Sequence, residues 1–306
     1  MPRCSNRSGR LFMCGSPRAS VFHRHGQQHS RLQCAPLMPD LRLEQVTFAY
    51  PGDVRVFGPP GLTLELKAGA TALVGENGAG KTTLTKLLNG LLRPTTGNIV
   101  VAGQPVAERT VAQMAALVGY AFQNPDDQLF QRTVYDEVAF GPRAMKRPAE
   151  RVAVAVKNAL ERCGLSQEAK THPHDLGLPD RKWVTIASAL AAESPVVVLD
   201  EPTLGQDWAA KGRLKALVKS MVDSDRLVLI VTHDLDFVAE ACSRTVVLTR
   251  GVIRYVGPTI SAFADEGMIH EAGLDLPSTT RLGLALGFQP VPVGEGAFLR
   301  AIGSKR

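Results

Sequence analysis

A glycine-rich run, GENGAGKTT, lies between an apolar segment and a helix-like pattern of leucines. The run spans Gly75 to Thr83 and directly follows the apolar segment Thr71 to Val74. Glycine adopts positive φ angles without strain and lets backbone N–H groups approach phosphate oxygens closely. The positive end of the following helix adds to this affinity for anions. A strand, a glycine loop and a helix in this order predict a phosphate-binding loop.

The side chains of this loop have separate expected roles. Lys81 is placed to reach the β- and γ-phosphates of a nucleotide, and the Thr82 hydroxyl is placed to bind Mg²⁺. The predicted phosphate-binding residues are Gly75, Glu76, Asn77, Gly78, Ala79, Gly80, Lys81, Thr82 and Thr83.

Two later apolar segments each end in polar residues. VVVLDEP ends in Asp200 and Glu201, and LVLIVTHD ends with His233 and an aspartate. A continuously apolar strand is buried on both faces, and its carboxyl end delivers side chains to the edge where parallel sheets bind ligands. We therefore expect Asp200 to bind Mg²⁺ opposite Thr82, and Glu201 to orient or deprotonate an attacking water. The imidazole of His233 is expected to contact the γ-phosphate.

Short apolar runs alternate with amphipathic helices from Leu41 onwards, which predicts an α/β domain with a largely parallel sheet. The predicted buried strands are Thr71–Val74, Val196–Leu199, Leu227–Thr232 and Val246–Leu248. Three helices show apolar residues at spacings of three and four. Their buried faces are Leu84, Leu87, Leu88 and Leu91; Val152, Val156, Ala159, Leu160 and Cys163; and Leu214, Leu217, Val218, Met221 and Val222.

The net charge of +6 comes entirely from the amino-terminal segment. That segment, before Asp40, holds six arginines and no lysine, aspartate or glutamate. The rest of the chain is neutral, so a basic surface for binding nucleic acid is not expected. We predict residues 1–38 to be a disordered basic tail, with a misassigned start before Met38 and a targeting peptide as open alternatives. No apolar run is long enough to cross a bilayer, and five cysteines without a ligand spacing fit a reducing compartment.

The order of these motifs resembles that of the ATP-binding cassette (ABC) ATPases, from about Leu41 to Leu248. The resemblance includes a glutamine after an aromatic run, here Phe122 and Gln123. It implies a P-loop NTPase fold of the ABC type, with a helical subdomain and a short carboxyl-terminal extension. It also implies ATP and Mg²⁺ as ligands, Gln123 as a sensor of Mg²⁺ and γ-phosphate, and stacking of Tyr50 on adenine.

Two segments are similar to those of energy-coupling-factor (ECF) and cobalt-type importer ATPases. They are AFQNPDDQLFQRTVYDEVAFGP, at Ala121 to Pro142, and EAGLDLPSTTRLGLALG, at Glu271 to Gly287. The resemblance divides the chain into an ATP-binding domain at 39–255 and an extension at 256–306. It implies an ATPase on the cytoplasmic face of the membrane that drives uptake of a vitamin or a transition-metal ion. The implied partners are a second ATPase, a transmembrane coupling subunit and a substrate-binding membrane subunit, with no nucleic acid.

Four acidic residues after Gln123 are assigned to the rim of the groove that would receive the transmembrane subunit. They are Asp126, Asp127, Asp136 and Glu137. A solvated acidic face is the alternative to docking.

The second phosphate-contacting motif of ABC ATPases, usually LSGGQ, is altered to LGLPD at Leu176 to Asp180. Gly177 replaces the serine, Pro179 removes a backbone donor, and Asp180 brings a carboxylate towards a polyanion. Each change weakens anion binding in the site of the opposing subunit. A heterodimer with an intact partner is therefore favoured over a homodimer. The following TLGQD segment carries Gln206 where an apolar residue is commoner, and the sequence offers no physical reason for it.

Two other functions remain open at this point. One is a regulatory ABC subunit that hydrolyses ATP weakly, motivated by LGLPD. The other is a soluble ABC protein acting on ribosomes or DNA, although such proteins usually carry two cassettes or long insertions, for which this chain has no room.

Overall fold

The computed structural model describes residues 40–303. The predicted basic segment, residues 1–38, lies outside the described residues, as do Cys4, Cys14 and Cys34. The strands are β1 (Leu41–Tyr50), β2 (Val54–Leu66), β3 (Gly69–Val74), β4 (Thr96–Val101), β5 (Gln104–Pro105), β6 (Val118–Ala121), β7 (Val196–Asp200), β8 (Leu227–Val231), β9 (Arg244–Thr249) and β10 (Val252–Pro258).

Helices fill the intervals between the strands and the end of the chain. They are α1 (Lys81–Leu88), α2 (Val111–Met114), α3 (Val134–Ala144), α4 (Ala149–Cys163), α5 (Leu178–Ala191), α6 (Trp208–Val222), α7 (Leu235–Ala241), α8 (Thr259–Ala264), α9 (Glu266–Glu271), α10 (Ser278–Ala285) and α11 (Glu295–Gly303). No helix within residues 40–303 has both the length and the apolar character needed to cross a bilayer.

A six-stranded sheet in the order β10-β9-β3-β8-β7-β6 forms the centre of the fold. Neighbouring strands are parallel except β10, which runs antiparallel to β9. Every residue of β7 and β8 is buried. Strands of this kind need cover on both faces, which explains their unbroken apolar sequences. Each predicted strand is present, but β8 ends at Val231, one residue before the predicted end at Thr232. Asp200 is the last residue of β7 rather than lying beyond it.

A second sheet, in the order β2-β1-β4-β5, is antiparallel. One apolar cluster joins this sheet to α1 and to one face of the six-stranded sheet. A second cluster covers the opposite face with residues of α3 to α9. The first cluster holds α1, the helix that follows the glycine loop, between the antiparallel sheet and the six-stranded sheet.

Helices α3, α4 and α5 pack on one another and form the expected helical subdomain. The predicted apolar face of α4 is buried along its whole length. The predicted face of α6 is buried except for Val222, which is half-buried.

The prediction for α1 is wrong at Leu91. The helix ends at Leu88, and Leu91 lies beyond it with 48% of its surface exposed. Gly90 has a φ of +77°, which ends the helical path, and the Asn89 side chain accepts the Leu91 N–H at 3.2 Å. The helical spacing of the leucines therefore continues one step further than the helix itself.

The carboxyl-terminal helices are fastened to α7 by carboxylates. Asp236 accepts the Ser278 N–H at 2.7 Å and its hydroxyl at 2.9 Å. Glu240 accepts the Glu295 N–H at 2.5 Å. Because α7 begins two residues after His233, the extension rests directly on the helix that follows this predicted site residue.

Candidate nucleotide-binding site

The glycine loop passes through backbone conformations and spaces that suit glycine. Gly75 has a φ of +154°, and a Cβ there would overlap the carbonyl oxygen of Leu248 in β9. Gly80 has a φ of +105°, and a Cβ there would lie 2.7 Å from the Phe57 ring. Both positions exclude larger residues, so the loop is held tightly against β9 and β2.

Lys81 is folded into the loop. Its side-chain nitrogen donates to the carbonyls of Gly75 at 2.7 Å and Glu76 at 3.0 Å. Burial lowers the pKa of Lys81, while the nearby carboxylates of Glu201 and Asp200 oppose this shift. The ammonium therefore stands at the centre of the loop, within the field of two acidic residues.

Most of the predicted site residues line a single cleft of about 210 Å³. Its walls are Val56, Asn77, Gly78, Gly80, Lys81, Thr82, Thr83, Gln123, Asp200, Glu201, Val231 and His233. Gly75, Glu76 and Ala79 belong to the loop but do not line the cleft. The fold thus gathers the ends of β3, β6, β7 and β8 at one edge of the sheet, where parallel sheets bind ligands.

Tyr50 stands outside the cleft and is linked to it through Thr83. The two hydroxyls lie 3.2 Å apart, and the Tyr50 ring meets the Phe48 ring edge-on with centroids 4.9 Å apart. The ring is half-buried. One part of its surface therefore remains open to a planar ligand beside the loop.

Asp200 is buried, with 3% of its surface exposed. Its Oδ2 accepts the Tyr120 hydroxyl at 2.8 Å, and that hydroxyl lies 2.9 Å from Thr85 Oγ1. Burial raises the pKa of Asp200, and the hydrogen bond from Tyr120 opposes the shift. Burial also raises the pKa of Tyr120 above its ordinary value, so this phenol stays a hydrogen-bond donor.

Glu201 has a positive φ of +45°, which is unusual for a residue with a side chain. Its Oε2 accepts the Thr232 hydroxyl at 3.0 Å and the His233 N–H at 3.3 Å. The His233 Nε2 lies 3.6 Å from Glu201 Oε1. These contacts hold the carboxylate at the ends of two neighbouring strands, with the imidazole beside it.

Sequence reasoning missed two residues at this site, Tyr120 and Lys182. Lys182 lies in α5 with 2% of its surface exposed, and burial lowers its pKa to about 8 against the attraction of Asp200 and Glu201. The available signals were weak. They were an aromatic residue in the strand before Gln123, and a lysine one turn before Ile186 on an otherwise apolar helix face.

Most of the LGLPD segment forms the start of helix α5. Helix α5 begins at Leu178, so Pro179 and Asp180 are inside its first turn, and the Gly177 N-cap has no side chain to accept a hydrogen bond. Proline is tolerated there because the first N–H groups of a helix have no partner within the helix. This helix end therefore presents one N–H group fewer, together with an exposed carboxylate.

Glu137 lines a groove beside α3, but the expectation that its charge is free to meet a partner is wrong. This residue has 3% of its surface exposed, and its Oε2 accepts the N–H groups of Phe130 and Gln131 at 2.9 and 2.8 Å. A buried carboxylate needs such partners, and here it holds the loop before α3. Asp126 and Asp127 are exposed.

Two of the four acidic residues, Asp126 and Asp136, already have basic partners within the chain. Asp126 pairs with Arg181 at 2.6 Å. Asp136 pairs with Arg143 at 2.8 Å, and its hydrogen bonds with Arg143 and Thr133 lower its pKa. Asp127 is therefore the clearest candidate for contact with another protein.

The oxygen donors at the cleft fit a magnesium ion. Thr82, Gln123 and Asp200 offer a hydroxyl, an amide carbonyl and a carboxylate. Mg²⁺ in nucleotide sites is held by one or two carboxylates together with phosphates and waters. Within residues 40–303 no group of three or more His, Cys, Asp and Glu residues forms a metal site without such help.

Comparisons with known proteins agree with this geometry. Residues 60–204 match the model of the ABC transporter family. A Gloeobacter violaceus protein described as an ABC transporter ATP-binding protein is 38% identical over 244 residues, which are 79% of this chain and 98% of the relative. The energy-coupling factor transporter ATP-binding protein EcfA of Methanoculleus marisnigri is 36% identical over 243 residues, 79% of this chain and 87% of the relative.

The solved structures also agree. CbiO1 of Clostridium perfringens, part of the ABC transporter complex CbiONQ, has a TM-score of 0.67 and 31% identity. The match covers 81% of this chain and 98% of CbiO1. A bacterial Atm1-family ABC exporter has a TM-score of 0.68 at 24% identity, with 78% of this chain and 42% of that one covered, and it shows the shared fold alone. The chain belongs to the ABC transporter family and is an ATP-hydrolysing transport ATPase.

Proposed function

We propose that this chain binds and hydrolyses ATP to energise an ECF-type importer for a vitamin or a transition-metal ion. The observation that carries the proposal is the meeting of the glycine loop, Gln123, Asp200, Glu201 and His233 in one cleft. The likeness to EcfA and CbiO1 supports the importer type. We propose residues 39–255 as the ATP-binding domain and 256–306 as the extension.

In this proposal the loop and its lysine bind the phosphates. The N–H groups of the loop and the start of α1 point towards the anion, and Lys81 adds its charge to the β- and γ-phosphates. Tyr50 stacks on the adenine. Thr82, Gln123 and Asp200 hold Mg²⁺, which when bound neutralises charge on the phosphate oxygens.

The two residues beyond the strand ends serve the attacking water. Glu201 orients the water and accepts its proton, because its carboxylate is fixed by Thr232 and by the His233 N–H. The His233 side chain faces the γ-phosphate and keeps Glu201 and the water in line. In phosphoryl transfer, positioning and electrostatics of this kind supply most of the catalysis.

A second ATPase subunit with an intact LSGGQ motif completes the site in the proposed complex. The first turn of α5 in this chain carries Pro179 and Asp180, which remove a donor and add a negative charge. Such an end binds a triphosphate poorly. A heterodimer therefore has one strong site, built on Lys81 and Glu201 of this chain, and one weak site.

The transmembrane coupling subunit is proposed to dock in a groove beside α3. The groove has a volume of about 390 Å³ and includes Asp127. Its exposed apolar residues are Leu91, Val111, Phe130 and Phe140. An amphipathic helix with a basic edge matches this lining. The chain then lies at the cytoplasmic face of the membrane, beside the substrate-binding membrane subunit that selects the cargo.

ATPase assays on the purified chain, alone and mixed with a second ATPase from the same gene neighbourhood, test this function. We expect low turnover alone and a strong increase on mixing, with Mg²⁺ required in both cases. Strong turnover by the isolated chain would rule out the need for a heterodimer. A mixed complex that binds ATP but does not turn over would favour the regulatory subunit, the function to which LGLPD also points.

A further inference from the structure

Lys182 is a lysine in the interior of the protein. Lys182 has 2% of its surface exposed, and its side chain is one of the largest that are fully buried within residues 40–303. A buried ammonium group is unfavourable unless each of its donors finds an acceptor. The partners of Lys182 therefore indicate what this charge does.

The three donors of the ammonium group reach three main-chain carbonyls. The acceptors are the carbonyl oxygens of Phe122 at 2.7 Å, Gln123 at 2.9 Å and Asp200 at 2.6 Å. Two of these carbonyls lie just after β6, and the third ends β7. One side chain of α5 thus joins two strand ends.

The position of these carbonyls explains why the link is needed. The hydrogen-bonded pairing of β6 with β7 stops at Ala121 and Leu199. Beyond that point the two backbones have no ladder to hold them together. The next carbonyls, those of Phe122 and Asp200, bind the ammonium group of Lys182 instead. Lys182 therefore links the two backbones just beyond the last paired residues of β6 and β7.

The side chains at these two strand ends are proposed oxygen donors for Mg²⁺. Gln123 and Asp200 both line the nucleotide cleft, together with Thr82. Their side chains are placed by the backbone from which they project. A change in the separation of the two strand ends would therefore change the separation of two donors.

We infer that Lys182 is a positioning residue for magnesium in the nucleotide site, because it holds the backbones of Gln123 and Asp200 at a fixed distance. The inference rests on the proposed function, in which both side chains face Mg²⁺. Lys182 itself does not line the nucleotide cleft.

The test is the gain in ATP affinity that Mg²⁺ gives, measured on the full chain. Titration calorimetry gives the affinity for ATP in excess Mg²⁺ and in EDTA, and the ratio of the two affinities is the magnesium gain. Lys182→Met keeps an unbranched side chain of similar length, one atom shorter, and removes the three donors. We expect its magnesium gain to fall by about tenfold, as for other residues that orient metal ligands. Its affinity in EDTA should stay within about twofold, because Lys81 and the loop are unchanged.

Two further variants separate positioning from stability. Val184→Ala changes a fully buried residue in the same helix without touching the carbonyls. It should lower the melting temperature and leave the magnesium gain unchanged. Lys182→Gln keeps two N–H donors and has no charge, so its gain should lie between those of the native chain and Lys182→Met. It also provides the measurement if Lys182→Met fails to fold.

The outcomes decide between the inference and the proposed function. A native chain without any magnesium gain would overturn the proposed Mg²⁺ site, and the inference with it. A native gain that folded Lys182→Met or Lys182→Gln retains in full would overturn the inference alone. An equal loss of gain in Val184→Ala would also overturn it, because the effect would then follow stability.

Discussion

The indole N–H of Trp183 donates to the side-chain oxygen of Gln206 at 2.9 Å. The side-chain nitrogen of Gln206 donates to the carbonyl of Pro179 at 3.1 Å. The guanidinium of Arg213 covers the indole ring at 5.0 Å from its centroid. Gln206 therefore fastens the segment after β7 to the first turn of α5. This contact supplies the physical reason for a polar residue at a position where an apolar one is commoner.

Replacement of Gln206 by leucine should lower the free energy of unfolding by about 1 to 3 kcal/mol. Trp183 has 2% of its surface exposed, so its N–H would lose its acceptor in a buried place. Denaturant unfolding measures the change. The double variant Gln206→Leu with Trp183→Phe removes both partners, and its cost should be smaller than the sum of the single costs. Strictly additive costs would contradict the link.

Glu201→Gln should lower kcat by at least about 100-fold in the complex that hydrolyses ATP, because the amide cannot accept a proton from water. ATP affinity should remain within about threefold, since Lys81 and the loop stay in place. Glu161→Gln is the matched control, because Glu161 is exposed on α4. Turnover above one tenth of the native value in Glu201→Gln would remove this residue from the role of base.

Glu137→Gln should destabilise the chain by about 1.5 to 3 kcal/mol, the range for hydrogen bonds to a charged group. The carboxylate Oε2 accepts two backbone N–H groups, and an amide can serve them less well. Thermal and denaturant unfolding give the cost. An exposed carboxylate elsewhere in the loop, Asp127, supplies the comparison, since Asp127→Lys should change the free energy of unfolding by less than about 0.5 kcal/mol.

The same Asp127→Lys variant should weaken assembly with the proposed transmembrane coupling subunit by about tenfold or more, because it reverses a charge in the proposed docking groove. ATP binding should be unchanged. Asp126→Lys is a poorer probe, since Asp126 pairs with Arg181 in the first turns of α5. Co-purification and surface-immobilised binding assays measure the effect. Normal assembly of Asp127→Lys would leave these acids as a solvated face.

Cys163 and Cys242 should resist alkylation in the folded chain. Burial raises the pKa of both thiols to about 12. At pH 8 their thiolate fraction is then about one in ten thousand, whereas an ordinary exposed thiol is partly ionised. Mass spectrometry of the peptides after iodoacetamide treatment should show modification only with denaturant. The raised pKa of the folded state also affects stability. Between about pH 9 and pH 12 the thiols ionise only in the unfolded chain, so the free energy of unfolding should fall as the pH rises through this range. Rapid labelling of either cysteine at pH 8 without denaturant would contradict their burial.

Much of the central sheet could be predicted because its strands are unbroken apolar runs. β7 and β8 are buried on both faces, and the residues that end them lie at the ligand edge of a parallel sheet. The glycine loop could be predicted for a related reason. A Cβ at Gly75 would overlap the carbonyl oxygen of Leu248, so only glycine fits there. This requirement appears in the sequence as a glycine of the motif.

The parts that could not be predicted depend on contacts between distant segments. Tyr120 reaches Asp200 across 80 positions of sequence, and Lys182 reaches Phe122 across 60. Neither side chain belongs to a periodic pattern or a motif. Glu137 was misassigned because four acids close together in sequence suggest one surface, whereas its own helix turns it inwards onto two N–H groups.

Pro179 in the first turn of α5 affects helix formation and anion binding differently. A helix loses nothing internally when its first turn lacks an N–H, whereas an anion held there loses a donor. Mutations at this end can therefore accumulate without any penalty in folding as long as another subunit keeps an intact copy. A gene pair under that regime would diverge unequally, with the variation concentrated in one member at the start of this helix.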